Sequence, residues 1–219
     1  MPDLNFKVDT VEVVPYSVSP MLNFKLIITN AIAGEPLQNI MLRCQIQIET
    51  TRRRYNEGEQ AKLRDLYGEP SRWGETLKTL LWTHSNIVVP PFAESTDVDL
   101  PVPCTFDFNI ATTKYLDGLE EGDLPLCLLF SGTAFYYDEN NALQASQIAW
   151  EKEAKYRLPV NVWKQMMELY YPNSAWLNIR KDVFEKLQDY KMRHSLASWE
   201  NAFEKMLATQ HGNGTEFIN

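Results

Sequence analysis

Ile40, Leu42, Cys44, Ile46 and Ile48 alternate without a break with Met41, Arg43, Gln45, Gln47 and Glu49. A period of two sends one set to a core and the other to water, and a helix cannot satisfy it. Leu22, Phe24, Leu26 and Ile28 repeat the pattern one strand earlier. The segment between them contains Asn30, Gly34, Pro36 and Asn39, which is turn chemistry. The two runs therefore predict an antiparallel, hairpin-like pair with one covered face.

Further extended segments follow after a helical interruption. Leu63, Leu66 and Tyr67 recur at helical spacing and Gly68 can end the turn, so a short inserted helix is expected near residues 58–68. The stretches at residues 76–83 and 86–92 read as extended, with Pro90 and Pro91 forcing a stop or an edge. Cys104, Phe106, Phe108 and Ile110 alternate with Thr105, Asp107 and Asn109, and a short helix with Tyr115, Leu116 and Leu119 comes next. Residues 125–137 are apolar or small on both alternate sets, which marks a central strand covered on two faces. Asp138 to Asn141 turn the chain into a partner strand at residues 142–150.

After Leu158 the period changes. Pro159 suits the start of a helix whose stripe is Val160, Trp163, Met166, Met167 and Tyr170, and Pro172 ends it. Ser174 is the expected cap of a second helix with Leu177, Val183, Phe184, Leu187 and Tyr190. A third carries Trp199, Ala202, Phe203, Met206 and Leu207. Many strands with no strand–helix–strand alternation predict an α+β protein. Its expected form is an antiparallel β-sandwich, immunoglobulin-like or C2-like, over residues 1–157. A helical subdomain, residues 158–211, packs on it, and residues 212–219 form a flexible tail.

Composition narrows the function classes. The net charge of −8 opposes general attraction to nucleic acid or to anionic lipid. Residues 1–14 lack the pattern of a signal peptide and no run is long enough to span a bilayer, so a cytoplasmic protein with no membrane span is expected. Cys44, Cys104 and Cys127 form no CxxC pair and lie in apolar runs, which predicts buried, reduced thiols.

The unusual residues come together in LRCQIQIE, RRRY, LYGEPSRWGETLKTLLWT, VDLPVPCTFDFN, LPLCLLFSGTAFYY and LPVNVWKQMMELYYPNSAW. From Phe6 to Leu207 the chain resembles a bacterial family catalogued only as a domain of unknown function. Members of that family are often encoded near genes of high-affinity nickel-iron hydrogenases. The resemblance implies an accessory or assembly role, and it transfers no catalytic residue.

Each chemistry has a bland alternative beside it. A nickel or iron–sulfur site needs converging thiolates, whereas the three cysteines and His84, His194 and His211 are scattered. Ser131 precedes Gly132 without a nucleophile elbow and reads as a small strand residue. Asp97, Asp99 and Asp107, or Asp117, Glu120, Glu121 and Asp123, lack the compact spacing of a calcium loop. No catalytic residue, metal or cofactor is expected. The candidate site is the run Arg52, Arg53, Arg54 and Tyr55, with Arg72 and Trp73, read as an anion- or partner-binding surface. Three successive side chains on a strand end cannot all face one ligand, so at least one turns inward, and carboxylates near in sequence offer it an ion pair. The preferred reading is a non-enzymatic adaptor, assembly factor or structural subunit acting through a protein partner or self-association. An enzyme or small-ligand binder with an arginine-lined anion pocket is the alternative.

Overall fold

The computed structural model describes residues 2–32, 36–105, 110–175, 177 and 179–212. It is a mixed α+β protein in which every strand pairing is antiparallel. The strands are β1 (Leu4–Val13), β2 (Met21–Asn30), β3 (Leu37–Ile48), β4 (Leu80–Val89), β5 (Ser95–Pro103), β6 (Asp123–Tyr137), β7 (Leu143–Gln147) and β8 (Glu153–Pro159). The helices are α1 (Glu57–Tyr67), α2 (Trp73–Thr76), α3 (Ile110–Gly118), α4 (Val160–Tyr170), α5 (Lys181–Arg193) and α6 (Trp199–Gly212).

One sheet has the order β1-β2-β5 and the other β4-β3-β6, with β7 and β8 sharing the far side of β6. Alternate residues of both enter one core: Phe24, Leu26 and Ile28 from β2, Leu42, Cys44 and Ile46 from β3, and Leu126, Leu128 and Phe130 from β6. Rings join the sheets across it. Phe6 stacks on Phe130 at 4.2 Å, and Phe24 meets Trp82 edge-on at 6.4 Å. Each fully buried side chain of this size contributes roughly 1.5–3 kcal/mol.

Several expectations are corrected. β2 and β3 alternate as predicted, but they do not pair with each other. β2 lies between β1 and β5 and β3 between β4 and β6, so the connection between them changes sheets. Thr76 closes α2 rather than opening a strand, and from Leu80 the two extended stretches are one strand, β4, because Thr83 and Ser85 face the core between them. Phe106, Asp107, Phe108 and Asn109 lie outside the described residues, and Ile110 opens α3. β6 is central, with β3 on one side and β7 and β8 on the other. Its outer face is covered by neighbouring side chains: Cys127 is buried beside Glu153 and in register with Lys155.

The chain divides into two compact units, residues 1–174 and 175–219. α4 belongs to the first, and its Val160, Trp163 and Met166 enter the shared core. Ser174, the last residue of the first unit, does not cap a helix over Leu177. Its hydroxyl bonds the Pro172 carbonyl, and α5 begins only at Lys181, after Arg180. α6 continues to Gly212.

Candidate functional site

A 3-10 turn at Thr50–Arg52 follows β3 and hands the chain to α1. Asn56 and Glu59 form a capping box: the Asn56 side chain accepts the Glu59 N–H at 2.8 Å, and the Glu59 carboxylate accepts the Asn56 N–H at 3.3 Å. That geometry buries Glu59 and leaves its charge in need of a partner. Arg53 supplies it. Its side chain is 6% exposed, and its Nη2 donates to Glu59 Oε1 and, at 2.6 Å, to the Glu121 carbonyl. Nη1 donates to the Asp123 carbonyl at 2.8 Å. Glu59 Oε1 also accepts the Glu120 N–H at 2.8 Å. One arginine therefore ties the start of α1 to the segment that enters β6.

The α1 N-terminus, a favourable place for an anion, is filled from within. The Glu120 carboxylate stands over Gly58 and accepts hydrogen bonds from Asn56 Nδ2 at 3.1 Å and Lys62 Nζ at 2.9 Å. Lys62 and Asn56 together hold the Glu120 carboxyl below the usual range. Of the sequence candidates, Arg52 turns outward to Glu49 at 3.4 Å, and Arg54 and Arg72 are exposed. The structure thus separates the arginines.

Tyr55 and Trp73 do come together. Their rings meet edge-on at 5.2 Å, and Tyr67 and Tyr115 complete an aromatic cluster. The Tyr55 hydroxyl donates to the Thr50 carbonyl at 2.7 Å and lies 2.8 Å from that of Tyr115. Burial pushes Tyr55 up to about 12, against the pull of the Tyr115 hydrogen bond and Arg53. These phenols stay protonated and act as structural anchors. Asn56 and Glu59 carry a sequence signal, the N-x-x-E capping spacing. Glu120 and Tyr115 carry none, because only the fold brings them to Arg53 and Tyr55.

Other candidates are dispersed. Cys44 and Cys104 lie in the core and Cys127 on the opposite side of its sheet. His84 Nε2 lies 3.2 Å from Gln45 Oε1, and no hydrogen bond joins a histidine to Ser131 among the described residues. Asp99 is engaged by Lys25 at 2.6 Å. Asp107 lies outside the described residues. Among those residues, no three His, Cys, Asp or Glu side chains gather in a way that could hold a metal ion, and no helix is long and apolar enough to cross a membrane.

The outer sheet faces differ. Outside the three-stranded sheet the register aligns Lys7, Ile27 and Asp97, then Thr10, Lys25 and Asp99, a largely polar surface. Outside the five-stranded sheet it aligns Val88, Met41 and Thr133, then Phe135 with Ala145, then Tyr137 with Leu143. Val88 is 68%, Met41 59% and Leu143 57% exposed.

A family model described as a family of unknown function, DUF6084, matches residues 1–215. The chain belongs to DUF6084. Comparison of this DUF6084 chain with curated proteins finds no significant match. Among solved structures it is similar to the CARDB domain of a Pyrococcus furiosus protein, solved with di-metal ions, at 12% identity and a TM-score of 0.28 over 72% of this chain and 92% of that one. A putative late embryogenesis abundant protein matches at 13% identity and a TM-score of 0.31, over 73% of each chain. The putative ApaA protein from Bordetella pertussis matches at 14% identity and a TM-score of 0.26, over 72% of this chain and 93% of that one.

Proposed function

We propose that this DUF6084 protein is a non-enzymatic association protein that binds a protein partner through the outer face of its five-stranded sheet. The observation that carries the reading is the contrast between the two outer faces: one is largely polar, while the other leaves Met41, Val88, Tyr137 and Leu143 in water. Exposed apolar side chains of this kind, here interspersed with Asn39, Thr133 and Gln147 in the same rows, favour burial against another surface. The internal use of Arg53 and of the α1 N-terminus supports it, since both are engaged by the protein's own groups.

In this reading the two sheets form a β-sandwich of immunoglobulin-like or C2-like type, supported by their shared core. The protein works in the bacterial cytoplasm, as an accessory factor in hydrogenase-related assembly. The test compares the full chain with a Met41→Lys/Leu143→Lys variant by cross-linking and native mass spectrometry in extracts of its own cells. The wild type is expected to form a stoichiometric partner complex, and the variant to lose it about tenfold or more with an unchanged thermal midpoint. A wild type that stays monomeric and partner-free, or a variant that keeps the complex, overturns the reading.

A further inference from the structure

Edge strands present unpaired backbone groups, and natural sheets protect them with charge, proline, bulges or short length. β1 carries Lys7 and Asp9 and a register shift between Val8 and Thr10. β5 contains Asp97, Asp99, Pro101 and Pro103. β7 is five residues long, and β8 holds Glu153, Lys155, Arg157 and Pro159. β4 has a bulge of its own at Trp82, between Leu81 and Thr83, and Pro90 follows it, but residues 85–89, SNIVV, contain no Asp, Glu, Lys, Arg or Pro and no register shift. β4 pairs with β3 alone among the described residues, and outside that ladder they supply no backbone hydrogen bond to residues 85–89.

A groove of about 580 Å³ runs beside this part of the strand, between β4 and β5. Ile87, Val88 and Val98 give it apolar walls, and Lys25, Asp97 and Asp99 line it as well. Lys25 is held by Asp99 at 2.6 Å, and Asp97 has no ion pair among the described residues. Glu12 stands close enough to Lys25 to act on its charge. Two lining carboxylates against one ammonium, with Glu12 nearby, leave the groove acidic.

We propose that residues 85–89 of β4 are a strand-addition site for an extended, apolar segment of a partner protein that places a lysine or arginine against Asp97. Main-chain hydrogen bonds to the open edge give such a segment its affinity, and the apolar walls and the acidic rim select it. Charge decides against a second copy as the occupant, because pairing β4 with its own counterpart brings two acidic rims together in a chain of net charge −8. The inference rests on the association reading and names one partner chemistry for it.

The probe is a fluorescent eight-residue peptide alternating valine with threonine and lysine, titrated against the full chain by anisotropy. Amide hydrogen exchange is read in parallel. Saturable binding with slowed exchange at residues 85–89 is expected, and Asp97→Lys, an exposed change, should weaken it about tenfold. The same peptide with glutamate in place of lysine should bind at least as poorly. Absence of saturable binding, equal affinity for the glutamate peptide, or protection confined to other residues overturns the proposal. So does a peptide-free dimer already protected at residues 85–89, which would make a second copy the occupant. Leu143→Lys, on β7 at the far side of the sheet from β4, leaves the groove intact, so peptide binding that survives in it while the cellular complex is weakened separates this inference from the outer-face reading.

Discussion

Arg53 takes a full charge into a place where its side chain is 6% exposed, and Glu59 opposite it is 2% exposed. Removing one partner of such a pair strands the other, which costs about 3–5 kcal/mol, whereas removing both is far milder. Arg53→Ala is therefore expected to lower stability by about that much in urea denaturation, and Arg53→Met with Glu59→Leu by much less than the sum of the single losses. A double-variant loss equal to the sum of the two single losses would show that the pair is not coupled. The thiols give a second residue-scale prediction. Burial pushes Cys44 and Cys104 up to about 12. The unfolded chain gives up these protons near pH 8.5 while the folded chain keeps them, so their contribution is intact below that pH and is lost as pH rises toward the folded values. Urea-derived stability is expected to fall by about 4 kcal/mol between pH 8 and pH 10, and Cys44→Ala to remove roughly half of that slope.

At the scale of elements, Gly132 governs how closely β3 and β6 can pair. It has φ +142, and a Cβ there would meet the Met41 carbonyl oxygen at 2.0 Å and Leu42 Cα at 3.3 Å, all backbone. Gly132→Ala is expected to cost about 3 kcal/mol or more in urea denaturation, with Ser131→Ala on the exposed side within about 0.5 kcal/mol of wild type. The sequence made the strands legible because period two reports which face a residue occupies. It does not report which strand lies alongside, so the consecutive strands β2 and β3 looked like a hairpin although they belong to different sheets. The same limit explains β6. Its doubly apolar pattern implied a second covering layer, but Cys127 and Leu129 are shielded by Lys155 and Glu153 in register on β8. Within the candidate site, Asn56 and Glu59 sit one capping box apart and could be read in advance. Glu120, Glu121 and Asp123 reach Arg53 only because the chain returns from α3 into β6 beside the start of α1.

For the molecule as a whole, the apolar cluster of the first unit runs, among the described residues, from Leu4 to Met166, with Tyr170 packed against it. That unit has a core of its own. The second has helices of 13 and 14 residues, with no buried residue on α5. Helices of that length are marginal in water without tertiary packing. A chain ended after Ser174 is expected to unfold cooperatively in urea, within about 1 kcal/mol of the full protein. The isolated peptide 175–219 should show little helix by far-UV circular dichroism and no cooperative melt. A truncated chain that fails to fold, or one that loses several kcal/mol, would mean that the core depends on residues beyond 174. A peptide that folds alone would mean that α5 and α6 hold more packing energy than their exposed Phe184, Met192 and Leu207 imply.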